Sequence, residues 1–256
     1  MPQATFRFYA ELNDFLPSSR RQVPFAHYFS GRVSIKDMIE SLGVPHTEVD
    51  LILVNGESVD FRYLVQDGDY ISVYPVFESF DITPLLRVRS HPLRLPRFVL
   101  DVHLGRLAGY LRLLGFDARY MADCDDATLA ALSCDERRTL LTRDRGLLKR
   151  RQVTHGYCVR TTNPREQVSE VLRRFDLYRS VAPFSRCIRC NGVLGSVAKQ
   201  EVADRLPPHV RDNHYDFRIC SACGQVYWRG SHYNRLQALI ARWLQDTQGA
   251  DEKGEC

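Results

Sequence analysis

Two sets of residues have the types and spacing to hold metal ions. Cys187-x-x-Cys190 and Cys220-x-x-Cys223 form two knuckles, each able to present two thiolates to one tetrahedral ion. Asn191-Gly192 and Gly224 follow the pairs and give the chain the turn freedom a knuckle needs. The 29 residues between the knuckles exceed common ribbon spacing, so a longer hairpin insertion is expected there. Disulfides or unconnected buried thiols are the competing readings, and paired spacing in a chain with no secretion signal over Met1–Leu12 disfavours both. Four thiolates fill the coordination sphere and leave no position for a reactive water, so the expected ion is a structural Zn²⁺. The spacing of His209, His214 and His232 does not call for them as ligands, and Cys124, Cys134 and Cys158 read as ordinary core or surface residues.

The second set is acidic. Asp101, Asp126 (with Asp123 and Asp125 beside it) and Asp144 each follow an expected strand and precede an expected helix. In a parallel α/β sheet such junctions fall on the carboxyl edge, where ligand sites assemble. Carboxylates gathered closely repel one another unless a cation is present, and their hard oxygens suit Mg²⁺ or Mn²⁺. Taken singly, each Asp is equally suited to cap the helix that follows it. Spacing alone does not choose between three caps and one converging site.

The elements that must position these residues emerge from the whole chain. Its 256 residues suggest about two domains, and 44% hydrophobic with 26% charged residues is ordinary for a folded soluble protein. No apolar run approaches the roughly 18 residues of a membrane span, so a cytoplasmic chain with reduced thiols and no membrane partner is expected. Residues 1–80 read as strand Thr5–Tyr9, a helix within Ser34–Leu42, strand Leu51–Val54, the tight turn Asn55-Gly56, and strand Tyr70–Tyr74 after Asp67-Gly68-Asp69. That order fits a β-grasp. Residues 81–97 form a basic, Pro-containing linker. Over 98–183 strands and helices alternate: strand Phe98–Leu100, a helix closed by Gly115, strand Ala118–Met121, helix Asp126–Leu132, strand Thr139–Thr142, a short helix near Leu147–Arg150, strand Tyr157–Thr161, and a helix entered through Asn163-Pro164-Arg165-Glu166. Such alternation implies a parallel sheet covered by helices. Residues 184–245 hold the zinc ribbon and a closing helix, and 246–256 a polar tail.

Charge divides along the chain. Residues 1–80 carry 6 Lys/Arg against 11 Asp/Glu, a balance of −5, and the rest carry 29 against 20, a balance of +9. The basic part is the one suited to a polyanion such as RNA, and the aromatic and basic Tyr227–Tyr233 run could stack on unpaired bases or pack the ribbon.

Two family resemblances sharpen this reading. Val44-Pro45, Leu53-Val54-Asn55-Gly56, Asp67-Gly68-Asp69 and Val73-Tyr74-Pro75 resemble the ubiquitin-like sulfur carriers. Those carriers act through a C-terminal Gly-Gly, which Val76–Phe80 lacks, so a docking role or a plain folded appendage is expected instead. Leu100–Leu107, Leu111–Asp117, Asp125–Leu129 and Leu141–Leu148, with Glu166-Gln167 and the cysteine region, resemble the PIN-like ribonuclease family of the Mut-seven C-terminal domain, over about 98–235. The resemblance implies an α/β/α PIN-like fold and a metal site of Asp101, Asp126 and Asp144, supported by Thr142, with Asp125 the rival for the middle position. Asn163 falls nearest to a fourth ligand position. Arg106, Arg143 and Arg145 would meet phosphates or remain solvated. The expected activity is Mg²⁺- or Mn²⁺-dependent hydrolysis of RNA, with RNA and a protein at the β-grasp as partners. The alternative is a non-catalytic RNA-binding or scaffold protein.

Overall fold

The computed structural model describes residues 1–75 and 97–245. The expected linker and polar tail, apart from Arg97, lie outside the described residues. In chain order the elements are β1 (Gln3–Phe8), β2 (Phe25–Tyr28), α1 (Ile35–Ser41), β3 (Val49–Val54), β4 (Glu57–Ser58), β5 (Tyr70–Pro75), β6 (Arg97–Leu100), α2 (Gly105–Leu113), β7 (Asp117–Tyr120), α3 (Asp126–Asp135) and β8 (Thr139–Thr142). They continue with α4 (Arg145–Leu148), β9 (Gly156–Cys158), α5 (Pro164–Arg174), β10 (Leu194–Val197), α6 (Lys199–Val202), α7 (Pro208–Asn213), β11 (Phe217–Cys220), β12 (Val226–Trp228) and α8 (Ser231–Gln245). No helix among the described residues is long and apolar enough to cross a membrane. The chain is α/β, and it divides into two compact units that interleave in sequence: residues 1–75 with Asp125–Cys158, and residues 97–124 with 159–245.

In the first unit a mixed sheet runs in the order β2-β1-β5-β3-β4, with β1 parallel to β5 and the other pairs antiparallel. Alternate residues of β1 are buried, as period-2 patterning demands. Phe6, Phe8, Ile35, Met38, Ile39, Ile52 and Ile71 make the core beneath α1. Ser34 caps α1 by accepting from the Asp37 N–H at 3.1 Å, and Asn55-Gly56 turns β3 into β4 with both residues at positive φ (52° and 91°). Strand β2 has no counterpart in the sequence reading, because its burial alternates only between partly buried and exposed.

The same unit contains β8 and β9, paired in parallel, with α3 and α4. The β-grasp is joined to this segment through polar groups taken out of water. His46 bonds Glu40 Oε1 through Nδ1 (2.6 Å) and the Val153 carbonyl through Nε2 (2.9 Å). Lys149 Nζ donates to the Glu40 carbonyl at 2.7 Å, and the Cys158 N–H donates to Glu48, which is fully buried. The Arg145 guanidinium lies 4.9 Å over the Phe15 ring. The β-grasp is therefore built into the fold of the segment that carries three of the candidate aspartates.

In the second unit β6 and β7 pair in parallel, α2 packs on α5, and Phe98 meets Phe116 and Phe175 edge-on. The strand expected to run to Thr161 stops at Cys158, because the Arg160 and Thr161 N–H groups bond the Glu170 carboxylate (2.7 and 3.1 Å). The antiparallel sheet β10-β11-β12 forms the ribbon. The long insertion between the knuckles is helical as well as extended: α6 and α7 place Val202, Leu206 and Val210 on Phe217 and Val226, a small core of its own.

Replacing Glu48 by Ala leaves the buried Cys158 N–H without this acceptor and should lower the unfolding free energy of the full chain by about 2 kcal/mol in urea titrations. Glu57→Ala, at an exposed position, should change it by less than about 0.5 kcal/mol. Equal effects would contradict the role given to the buried joint.

Candidate functional site

The four knuckle cysteines come together. Their sulfur atoms all lie within 4.8 Å of one another, with Cys187 Sγ 3.7 Å from Cys223 Sγ and Cys190 Sγ 3.4 Å from Cys220 Sγ. Ligands about 2.3 Å from a tetrahedral zinc are about 3.8 Å apart, whereas disulfide sulfurs are about 2.05 Å apart. The thiols are unbridged and fit a structural zinc. Local backbone explains the convergence. The Asn191 N–H bonds the Cys187 carbonyl and the Gly224 N–H the Cys220 carbonyl, which closes each knuckle. A Cβ on Gly192 would stand 2.7 Å from Cys220 Sγ, so a side chain has no room there.

Crowding four thiols without a cation sets them against one another. Burial and the neighbouring cysteines push the Cys190 thiol up to about 12. Burial also acts to raise Cys220, but the backbone N–H groups of Cys223 and Ala222 outweigh it and hold that thiol at about 7. A divalent ion resolves this conflict by favouring all four thiolates. Burial and the bond to Cys187 push the Tyr227 phenol up, so it remains a donor to the Cys187 sulfur at 3.0 Å.

The first knuckle is bonded into the α2–β7 turn. Arg112, 6% exposed, donates through Nε to the Ala118 carbonyl (2.8 Å) and through Nη1 to the carbonyls of Ile188 and Arg189 (3.1 and 3.0 Å). Asn191 donates to Asp117 Oδ1 and accepts from the Ala118 N–H. Arg186 reaches the Gly115 and Asn191 carbonyls. Gly115, at φ +96°, brings its Cα so near the Ala182 carbonyl that a Cβ would overlap it. Arg112, Arg186 and the side chain of Asn191 did not stand out in the sequence. The available signal was one charged residue, Arg112, set between Leu111 and Leu113 on a buried helix face.

The acidic residues divide by role. Asp125 caps α3 through the Thr128 N–H (2.7 Å), and that backbone bond holds its carboxyl below the ordinary value. Asp126, first in α3, lies 3.4 Å from the Arg150 guanidinium. Asp144 caps α4 by accepting from the Gly146 N–H at 2.7 Å, and its own N–H donates to Thr142 Oγ1 at 2.9 Å. Asp101 differs: it directly follows β6, is 6% exposed, and makes no capping bond to the helical turn it precedes. Arg106 and Arg143 are exposed, Arg145 is exposed and held over Phe15, and Asn163 caps α5 through the Arg165 N–H. Among the described residues, the cysteine quartet is the one group of three or more potential ligands whose donor atoms lie mutually close; within the first unit Asp125, Asp126 and Asp144 do not form such a group.

A family model for the Mut7-C RNAse domain matches residues 96–240, and a Mut7-C ubiquitin model matches residues 1–81. Neither curated proteins nor solved structures give a match.

Protein purified without chelator should carry about one equivalent of zinc, and the ion should be lost as pH falls, since its ligands bind as thiolates. Arg112→Met should lower stability by about 3 kcal/mol, through lost charge-assisted bonds, and hasten zinc release to a chelator. Zinc retention and stability unchanged in that variant would contradict the clamp.

Proposed function

Because this chain belongs to the Mut7-C RNAse domain family, we propose that it is a ribonuclease that hydrolyses RNA phosphodiester bonds with Asp101, Asp126 and Asp144 as its working carboxylates. The observation that carries this reading is the match of residues 96–240 to the Mut7-C RNAse domain, within which Asp101, a buried carboxylate, directly follows β6. Carboxylate oxygens are hard donors that suit a divalent cation. Asp144 uses Oδ1 for its cap and Asp126 uses Oδ2 for Arg150, so each keeps a second carboxylate oxygen outside those bonds. These donors fit Mg²⁺ or Mn²⁺, which when bound would supply an activated water and neutralise charge on the phosphate.

The chain's own residues do the rest. Thr142, fully buried, fixes the β8–α4 corner by accepting the Asp144 N–H. Asp125 closes the start of α3 and so orients its neighbour Asp126. Arg143 and Arg106 present exposed guanidiniums to phosphates, and Arg145 does so from a position set by Phe15. The zinc serves the fold alone, since its four thiolates leave no open position. A protein partner would add to the β-grasp along β2 or β4, the outer strands of its sheet.

One observation favours a second reading, a non-catalytic RNA-binding scaffold: Asp125, Asp126 and Asp144 all have structural bonds of their own. A cleavage assay on single-stranded and structured RNA separates the two. With Mn²⁺ or Mg²⁺ present the native chain should cleave, and Asp101→Asn should lose at least about 100-fold in rate. RNA binding without metal-dependent cleavage would favour the scaffold, and cleavage unchanged in Asp101→Asn would overturn the site assignment.

A further inference from the structure

A cleft of about 90 Å³ opens on the ribbon, lined by Phe184, Asp216, Arg218, Trp228, Arg229 and Tyr233 among others. That is roughly three times the 30 Å³ share of one water in the liquid. Phe184 and Tyr233 stack at 4.4 Å with planes 29° apart, and Arg218 Nη1 holds the pair from the side by donating to the Phe184 carbonyl at 2.9 Å. The Arg229 guanidinium stands 5.6 Å from the Tyr233 ring centre and bonds Asp216 Oδ2 at 2.9 Å. Rings that only pack the interior of this unit, such as Phe98 and Phe217, are at most 1% exposed. Phe184, Trp228 and Tyr233 stay half-buried around the cleft instead.

We propose that this cleft binds one unpaired base of a single-stranded RNA, its ring stacked on the aromatic side chains and its phosphate met by Arg218 and Arg229; the inference rests on the ribonuclease reading for the identity of the polymer. Three ring faces ask for a flat π-ligand, and two guanidiniums ask for an anion beside it. A nucleotide joins both in one unit. Asp216 adds an acceptor for the N–H edge of a base. Stacking of this kind tolerates any base, so the cleft would hold the strand without reading its sequence.

The chain provides its own reporter. It has two tryptophans: Trp228 lines the cleft, and Trp243 is 3% exposed. The full-length, zinc-loaded chain is titrated, with no added Mg²⁺ or Mn²⁺, with a short single-stranded oligoribonucleotide, with the same strand annealed to its complement, and with an abasic strand of equal length. The expected result is saturable quenching of tryptophan fluorescence by the single strand alone, abolished by Trp228→Phe. Tyr233→Ala should weaken binding about fivefold or more, the lower end for losing one base–aromatic stack. Arg229→Gln removes an exposed ion pair and the contact with the Tyr233 ring and should keep the fold, so a similar loss there guards against an unfolded Tyr233 variant. Equal binding of the abasic strand, or binding unmoved by Arg229→Gln and Trp228→Phe, would overturn the proposal. Cleft binding in a chain that never cleaves RNA would uphold the cleft and sink the ribonuclease reading; cleavage without cleft binding would do the reverse.

Discussion

Taking a guanidinium out of water carries a penalty of several kcal/mol, and the second unit is arranged around compensating it. Burial pushes Arg112 toward its neutral form, while Cys190, Cys187 and Asp117 favour the charge. Three backbone carbonyls, from β7 and from the first knuckle, receive its N–H groups. A tetrathiolate zinc site would carry a net charge of about −2, so a zinc bound there and the arginine beside it would stabilise each other. The consequence is mechanical. The knuckle cannot shift without stranding a buried charge, and the α2–β7 turn is held by the same bonds. An element that follows the nuclease-like segment in sequence thus acts as its brace.

A similar economy operates in the first unit with different chemistry. Buried Glu48 and His46 join the β-grasp to β9 and to the turn before it, and Lys149 adds a bond to the end of α1. Phe15 holds Arg145 directly after Asp144. The ubiquitin-like domain contributes the Phe15 ring beside a candidate catalytic residue. That arrangement gives a physical reason for the two domains to share one chain.

Local periodicity made most elements legible. The alternation in β1, the helix within Ser34–Leu42, the Asn55-Gly56 turn and the Asn163-Pro164 helix start each depend on neighbours within a few positions, and each appears where the residues place it. The cysteine quartet was legible because CxxC spacing is itself a geometric statement. What escaped was long-range. Nothing near Arg112 or Glu48 in sequence reveals partners 76 and 110 residues away. The two helices within the ribbon insertion escaped because their small core is shared with β11 and β12. The aspartates show the same limit, for their strand-end spacing was visible while their division into caps, an ion-paired residue and the buried Asp101 required coordinates.

Two separate metal tasks are proposed for one chain: thiolates brace the fold, and carboxylates serve the chemistry. The most direct test is a Mn²⁺ titration of the zinc-loaded protein followed by electron paramagnetic resonance, with zinc content measured in the same samples. The native chain should bind Mn²⁺ while keeping its zinc, and Asp101→Asn should keep zinc but lose Mn²⁺ binding by about tenfold or more. Mn²⁺ binding that is unchanged by the substitution, or that occurs only as zinc is displaced, would contradict it.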